Sequence, residues 1–474
     1  MKIALAYLEN GLTESGLTFR HCTSDPLGLR YLAGSLAKSS NNVSVHLQGD
    51  KTLEKIAQEI IAESPDAVGI SCLTFNIPIS QTLAAKIKDY SKTIKIIFGG
   101  EHPSLSPETT FTKNIDFIVK GEGEITLNEL LDNKFSPAGI KGLYYLKNGK
   151  IEYMGDREPA EINSLAWPIR DSEIVKLTRM NSFMYPLPDK QTGLVTLLGS
   201  RGCSFDCIFC SSHELWGNKT RFRNVVDIAD EIDESYKQTS ANVGVFYDLT
   251  FNVNSKWVSD LCEEMIKRNI RDKMSFYSTC RVSSPNGKLI LTKDLLSKMK
   301  FAGFTKIGIG IESVDELIAG EYKSGQSPWG NTLEAVNNAH DLGILVRGFL
   351  IIGGPDETPK TYEETKRKLD LIPLHDLRVG FLTPFPGTSL DLQYSSEKRY
   401  TNDISQYDCS KPIIKNSNFT YEQLVSMERD LLKHFHNPNY RDPIILDIIK
   451  REPKLKDSSK WRKKDLERKE LISI

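Results

Sequence analysis

Short apolar runs alternate with amphipathic stretches along this chain of 474 residues, in two separate blocks. In the first block the runs are Lys2 to Tyr7, Val43 to Leu47, Ala67 to Leu73, Ile94 to Phe98 and Asp116 to Val119. Helical patterns fill the gaps at Leu27 to Lys38, Leu53 to Ala62, Ile79 to Tyr90 and, briefly, Pro107 to Thr112. Strands alternating with helices predict a parallel sheet covered on both faces. Ligands of such sheets bind beyond the carboxyl ends of the strands. Those ends carry Ser71-Cys72-Leu73-Thr74, Gly99-Gly100-Glu101-His102 and Gly121-Glu122-Gly123-Glu124. Glycines there let a ligand approach the backbone closely, and Ser71 and Thr74 can donate hydrogen bonds.

From 133 to 190 the pattern weakens. Alternation around Asn148-Gly149 signals a hairpin, and Pro159, Pro168, Pro186 and Pro188 break what surrounds it. The alternation resumes with strands starting at Gly193, Val243, Met274, Thr305, Leu345 and Arg378. This repeat of strand and helix suits an open, partial (β/α)6 barrel, whose chemistry sits at the strands' carboxyl ends. Beyond 395 the pattern turns helical, with an amphipathic stretch at 421–432 after Thr420, an N-cap candidate. From 441 to 474 there are 11 Lys or Arg against 7 Asp or Glu, which reads as a solvated helical cap. The expected class is α/β: a doubly wound (Rossmann-like) parallel-sheet domain at 1–132, a linker with a hairpin at 133–190, the barrel at 191–394 and a C-terminal helical extension at 395–474.

Directly after the apolar run Leu194 to Leu198, three cysteines fall in the spacing C-x3-C-x2-C: Cys203, Cys207 and Cys210. Thiolates this close on one loop can converge on a metal cluster. A 4Fe–4S cluster held by three cysteines keeps one iron free of protein, open to a small molecule. A zinc site wants four ligands, commonly in two CxxC pairs, and no second pair is visible, although His213 is near. Three unrelated thiols remain the plainest alternative.

With Phe209 just before the last cysteine, this motif resembles that of the radical S-adenosylmethionine (SAM) family. The resemblance implies a cluster whose open iron binds SAM and cleaves it reductively to a 5′-deoxyadenosyl radical. Further pieces follow in the family's order. Asp248, in YDLTFNV, resembles the carboxylate of the segment after the second strand. Arg281 closes the third strand, and Glu312 and Ser313 match a polar pair that holds SAM. Arg347 opens the fifth strand. Gly353, in GGPDET, resembles the turn that shapes the adenine wall, and a PFPGT segment ends the sixth. SAM contacts are therefore expected at Phe209, Asp248, Arg281, Glu312, Ser313, Arg347 and Gly353.

The first block resembles the cobalamin-binding domain that precedes the barrel in many of these enzymes, through Ser71-x-Leu73 and Gly99-Gly100. The implied cobalamin contacts are Ser71, Leu73, Thr74, Gly99, Gly100, His102, Gly121, Glu122 and Gly123, with His102 open to a plain loop role. The family's D-x-H-x-x-G, which supplies a histidine to cobalt, is absent; His21 lies in the corresponding loop without the flanking pattern. Base-off cobalamin without that histidine is expected.

Lys and Arg total 61 against 62 Asp and Glu, so no global charge favours nucleic acid. No run of 18 apolar residues appears, so no membrane span is expected. Eight scattered cysteines make no disulfide framework, and an exposed reduced cluster suits the cytoplasm. The leading expectation is a cobalamin-dependent radical SAM methyltransferase that methylates an unactivated centre of a small molecule. It would be a monomer fed by an electron donor such as flavodoxin or ferredoxin. The alternatives are the same cofactors without methyl transfer, as in cyclisation or ring contraction, and a non-catalytic cobalamin sensor. No residue is assigned to catalysis itself.

Overall fold

The computed structural model describes residues 1–8, 26–49, 51–171 and 193–435. Two parallel sheets organise the chain. The first has the strand order β2-β1-β3-β4-β5-β6-β7, with β1 Lys2–Tyr7, β2 Asn42–Leu47, β3 Ala67–Ser71, β4 Lys95–Gly99, β5 Phe117–Val119, β6 Leu143–Lys147 and β7 Lys150–Tyr153. β1 to β5 run parallel. Helices α1 Leu27–Lys38, α2 Leu53–Ala62, α3 Ile77–Tyr90, α4 Glu101–Leu105, α5 Pro107–Thr110 and α6 Gly123–Asp132 lie between the strands in sequence. Their apolar faces cover the sheet in two layers: Ile56, Ile60, Leu83 and Ile87 on one side, Leu29, Leu36, Leu127 and Leu130 on the other. Strands buried on both faces read as continuous apolar runs, which is why each was visible in the sequence.

The Asn148-Gly149 hairpin forms, but not as a free-standing piece of linker. Its strand β6 pairs antiparallel with β5, placing Tyr145 opposite Phe117, so the hairpin completes the edge of the first sheet.

The second sheet contains β8 Leu194–Leu197, β11 Val243–Phe246, β12 Ser275–Cys280, β13 Phe304–Glu312, β14 Leu345–Ile352 and β15 Asp376–Phe381, all parallel and in sequential order. β8 and β15 do not pair, so the barrel is open. Along β13, Ile307, Ile309 and Ile311 join the apolar layer under the helices, with Leu296, Val336 and Ala339. Lys306, Gly308 and Gly310 therefore face the concave side, following the two-residue period of a strand. A two-stranded ribbon, β9 Ser200–Arg201 with β10 Arg221–Phe222, brackets the cysteine loop.

After Gln393 the described chain is mostly irregular until the helix Tyr421–Phe435. Leu424, Met427, Leu431 and Phe435 pack into the barrel's own apolar layer, so this helix belongs to the barrel. His21, residues 436–440 and the basic stretch 441–474 lie outside the described residues. Among the described residues no helix is long and apolar enough to cross a membrane.

Candidate functional site

The cysteine loop leaves the carboxyl end of β8. Gly202 has φ +90°, and a Cβ there would overlap the Lys219 carbonyl, so the loop can close only with glycine. Cys203 is buried; Cys207 and Cys210 are half-buried. The Cys210 amide donates to the Cys207 carbonyl at 2.9 Å, a tight turn that puts both on one side. Arg281, just past β12, donates to Cys207 Sγ at 3.5 Å and lies 4.1 Å over the Phe205 ring. Thr250 Oγ1 is 3.7 Å from Cys203 Sγ, and the Cys210 thiol donates to Ser212 Oγ at 3.0 Å. Burial pushes the Cys207 thiol up to about 11, although Arg281 opposes it, and burial also raises Cys210. These two thiols are thus protonated at neutral pH when free, and loading a metal on them releases those protons.

No three His, Cys, Asp or Glu side chains among the described residues converge where a single metal ion could sit. A cluster spreads its thiolates over different irons, and three cysteines on one loop, beside a guanidinium, suit it.

Behind the loop, 322–324 hold it in place. The Ile208 amide donates to the Tyr322 carbonyl at 3.0 Å, Ser324 Oγ donates to the Asp206 carbonyl, and Phe209 meets the Tyr322 ring edge-on at 6.4 Å. Lys323 between them has no motif to betray it in the sequence. Its buried ammonium donates to the Gly310 carbonyl, and its own carbonyl accepts from Arg281 at 3.3 Å. Glu312 faces this pair of cations: burial pushes its carboxyl up, and Lys323 and Arg281 hold it down. Glu312 has φ +64°, at a bulge that ends β13. A non-glycine residue there is strained, and such strain gathers at ligand sites. Arg281, Glu312 and Lys323 can together hold an amino acid's carboxylate and ammonium.

The other expected SAM contacts fall in different places. Ser313 Oγ accepts from the Asp315 amide at 3.1 Å at the same strand end. Gly353 has φ +76°, and its amide donates to Glu357 at 2.5 Å. Asp248 is buried and accepts from the Gly199 amide at 2.9 Å and Ser200 Oγ at 2.5 Å, so it fixes the start of the cysteine loop. Arg347 is not brought to this group. It is the third residue of β14, near the strand's amino end, and its Nε donates to Asp376 at 2.5 Å, with Lys306 also 3.3 Å from that carboxylate.

At the carboxyl edge of the first sheet, S-x-L and the paired glycine form one unit. The Cys72 amide donates to the Gly99 carbonyl at 2.8 Å. Gly100 has φ +99°, and a Cβ there would lie 2.7 Å from the Cys72 carbonyl oxygen. Ser104 Oγ donates to the Gly100 carbonyl at 2.6 Å and accepts from the Gly121 amide at 3.0 Å, tying in the second glycine turn. Gly121 opens onto space: a Cβ there would meet nothing nearer than the Leu215 carbonyl, 3.9 Å away. Ser71 and Leu73 are half-buried on the same edge. At this edge Gly121 leaves the backbone open to close approach by a ligand.

Thr74 and His102 lie behind that edge and are buried. Thr109 Oγ1 donates to the Ser106 carbonyl, so it accepts from His102 Nε2 at 2.9 Å; His102 Nδ1 then accepts from Thr74 Oγ1 at 3.3 Å. Both ring nitrogens are engaged, and burial pulls the imidazole down to about 4.

The two sites face each other across one interface. Ser211, next to Cys210, donates to Glu101 of the paired-glycine loop. Glu122 and Glu124 of the second turn bind Arg201, at 3.3 and 2.5 Å, and Glu122 also binds Arg221. Gly123 packs against Leu32 of α1. Glu122, expected among the cobalamin contacts, instead has its oxygens occupied by these arginines.

Comparison with known proteins agrees with this layout. A B12 binding domain model matches residues 21–131, and a radical SAM superfamily model matches 197–369. An uncharacterized methyltransferase of Pyrococcus horikoshii is 29% identical over 422 residues, covering 87% of this chain and 88% of the relative. The anaerobic magnesium-protoporphyrin IX monomethyl ester cyclase of Cereibacter sphaeroides is 26% identical over 87% of this chain and 67% of its own length. Among solved structures, the radical S-adenosylmethionine methyltransferase TsrM of Kitasatospora setae, with cobalamin and a [4Fe-4S] cluster bound, superimposes with a TM-score of 0.68 at 16% identity, over 85% of this chain and 76% of that one.

Proposed function

This chain is a cobalamin-dependent member of the radical SAM superfamily, and on that premise we propose that it methylates an unactivated centre of a small molecule. The observation that carries the reading is the apposition itself: the glycine edge of the first sheet meets the cysteine loop of the barrel through Glu101 and Ser211. In support, the chain matches a methyltransferase over nearly its whole length. When bound, the cluster supplies an electron to SAM, and cobalamin supplies a transferable methyl group.

The residues then divide the work. Cys203, Cys207 and Cys210 hold the cluster. Arg281 and Lys323 would take the carboxylate of SAM's amino acid, and Glu312 would accept a hydrogen bond from its amino group. Gly353 and Phe209 border the adenosine. Ser71, Leu73, Gly99, Gly100 and Gly121 would line cobalamin, in a base-off form, with His102 and Thr74 supporting the loop from behind. Closure of the two domains around the bound cofactors would exclude water from the reacting centre. A flavodoxin- or ferredoxin-like donor in the cytoplasm, serving a monomer, completes the reading.

Cyclisation without methyl transfer is the second reading, favoured by the likeness to the magnesium-protoporphyrin cyclase. Product counting separates the two. With substrate and reductant, methyl transfer forms 5′-deoxyadenosine and S-adenosylhomocysteine in equal amounts. Deoxyadenosine without matching S-adenosylhomocysteine would reject methyl transfer in favour of cyclisation.

A further inference from the structure

The cysteine loop is gripped at both ends by carboxylates from the other domain. Arg201 stands two residues before Cys203, and Ser211 directly follows Cys210. The Arg201 guanidinium is boxed in by Glu122 and Glu124, with all three side chains less than a tenth exposed. It also lies 5.1 Å over the Tyr31 ring of α1 and 6.0 Å from the Trp216 ring, beyond the last cysteine. Arg221, which pairs with Arg201 across the ribbon, donates to Glu122 and to the Ala160 carbonyl. At the other end, Ser211 Oγ donates to Glu101.

The three acceptors come from the turns and helix starts that follow β4 and β5, at the carboxyl edge of the first sheet. Two arginines face two of these glutamates, so the buried charges balance. Such buried pairs add little net stability compared with apolar packing. What they do supply is direction: a fork of donors on a carboxylate fixes both distance and angle.

We infer that Glu101, Glu122 and Glu124 are positioning residues that set the distance and orientation between the cobalamin edge and the cluster loop. The inference rests on the reading that both cofactors bind this chain. The carboxylates need not touch either cofactor. Relaxing one leaves both sites intact and loosens only their relation.

The test uses the full-length holoenzyme with Glu101→Gln, Glu124→Gln and the pair, together with Ser211→Ala, which removes only one hydroxyl. Iron and cobalamin contents should match the parent. The magnetic interaction between Co(II) cobalamin and the reduced cluster, read by paramagnetic resonance, should weaken and broaden in distribution. The ratio of deoxyadenosine to methylated product should rise roughly tenfold to hundredfold, the cost of a misplacement of about 1 Å. Retention of the parent's spin interaction and product ratio in these variants overturns the inference. If the glutamine variants do not fold, Ser211→Ala decides by the same criterion. The spin readout needs no methyl transfer, so a parent that binds both cofactors but forms no methylated product sinks the methyltransferase reading and leaves this one standing.

Discussion

Gly99 and Gly100 form one motif, yet a methyl group added to each should have opposite consequences. Gly100 has φ +99° and ψ −166°, a region that side-chain-bearing residues almost never enter. Its Cβ would lie 2.7 Å from the Cys72 carbonyl oxygen and 2.9 Å from the Cys72 nitrogen, both backbone atoms that cannot swing aside. The backbone strain is about 1–3 kcal/mol. Parting β3 from β4 also gives up the Cys72–Gly99 hydrogen bond, about 1 kcal/mol. Gly100→Ala can relax by moving the loop, so this sum of about 2–4 kcal/mol returns when a ligand needs the original shape. Cobalamin should bind the variant roughly 30-fold to 700-fold more weakly, at 1.4 kcal/mol per tenfold. Gly99→Ala meets the Val119 carbonyl oxygen at 3.6 Å and its Cβ at 3.9 Å, both ordinary contacts. It should fold with stability within about 0.5 kcal/mol of the parent, and any loss of affinity there measures the ligand's own closeness. Cobalamin titration by absorbance, with urea unfolding of both apoproteins, measures each quantity. Parent-like binding and stability in Gly100→Ala would refute the reasoning.

Alanine at Cys203, Cys207 or Cys210 should remove most cluster iron and abolish reductive SAM cleavage, while alanine at Cys72, Cys262 or Cys409 retains iron; iron analysis after anaerobic purification checks this. Glu357 should make folding pH-dependent. Burial raises its carboxyl from 4.5 to about 7, so as pH climbs through that window the unfolded chain loses a proton that the folded chain keeps. Stability therefore falls between pH 4.5 and 7, by at most about 3 kcal/mol. Glu357→Gln should flatten that slope in urea melts at pH 5 and 8, and an unchanged slope would show that Glu357 is not its source. His102→Ala should leave the Co(II) resonance spectrum free of nitrogen superhyperfine splitting, as in the parent; splitting that is present in the parent and vanishes in the variant would make His102 a cobalt ligand.

The strands were legible because parallel strands buried on both faces, such as Ala67–Ser71 and Lys95–Gly99, are written as unbroken apolar runs. The β6–β7 hairpin was legible as a hairpin, but its docking was not, because pairing Tyr145 with Phe117 depends on an edge formed far back in the chain. In the site, the cysteine spacing and the glycine turns carry local geometry, so they could be read directly. Arg347 shows the limit of order along the chain: its depth within β14 decides what it reaches, and that depth puts it beside Asp376. Lys323 sits in no recognisable pattern, and only the fold of 322–324 against the cysteine loop brings it to Glu312. Glu122 looked like part of a ligand-binding turn because nothing in the sequence announces that Arg201 and Arg221 arrive from the other domain.

The hairpin that completes the first sheet has a consequence for the life of the protein before its cofactors arrive. Unpaired strand edges recruit other chains, and parallel sheets form slowly enough to expose them. Without β6 and β7, the apolar strand β5 would be such an edge. The hairpin covers it with a four-residue outer strand that carries Lys150 and Glu152, with Lys147 across the turn. At this edge of the sheet, a newly made chain waiting for iron, sulfide and cobalamin thus presents a short, charged rim to its neighbours, where a long sticky one would invite aggregation.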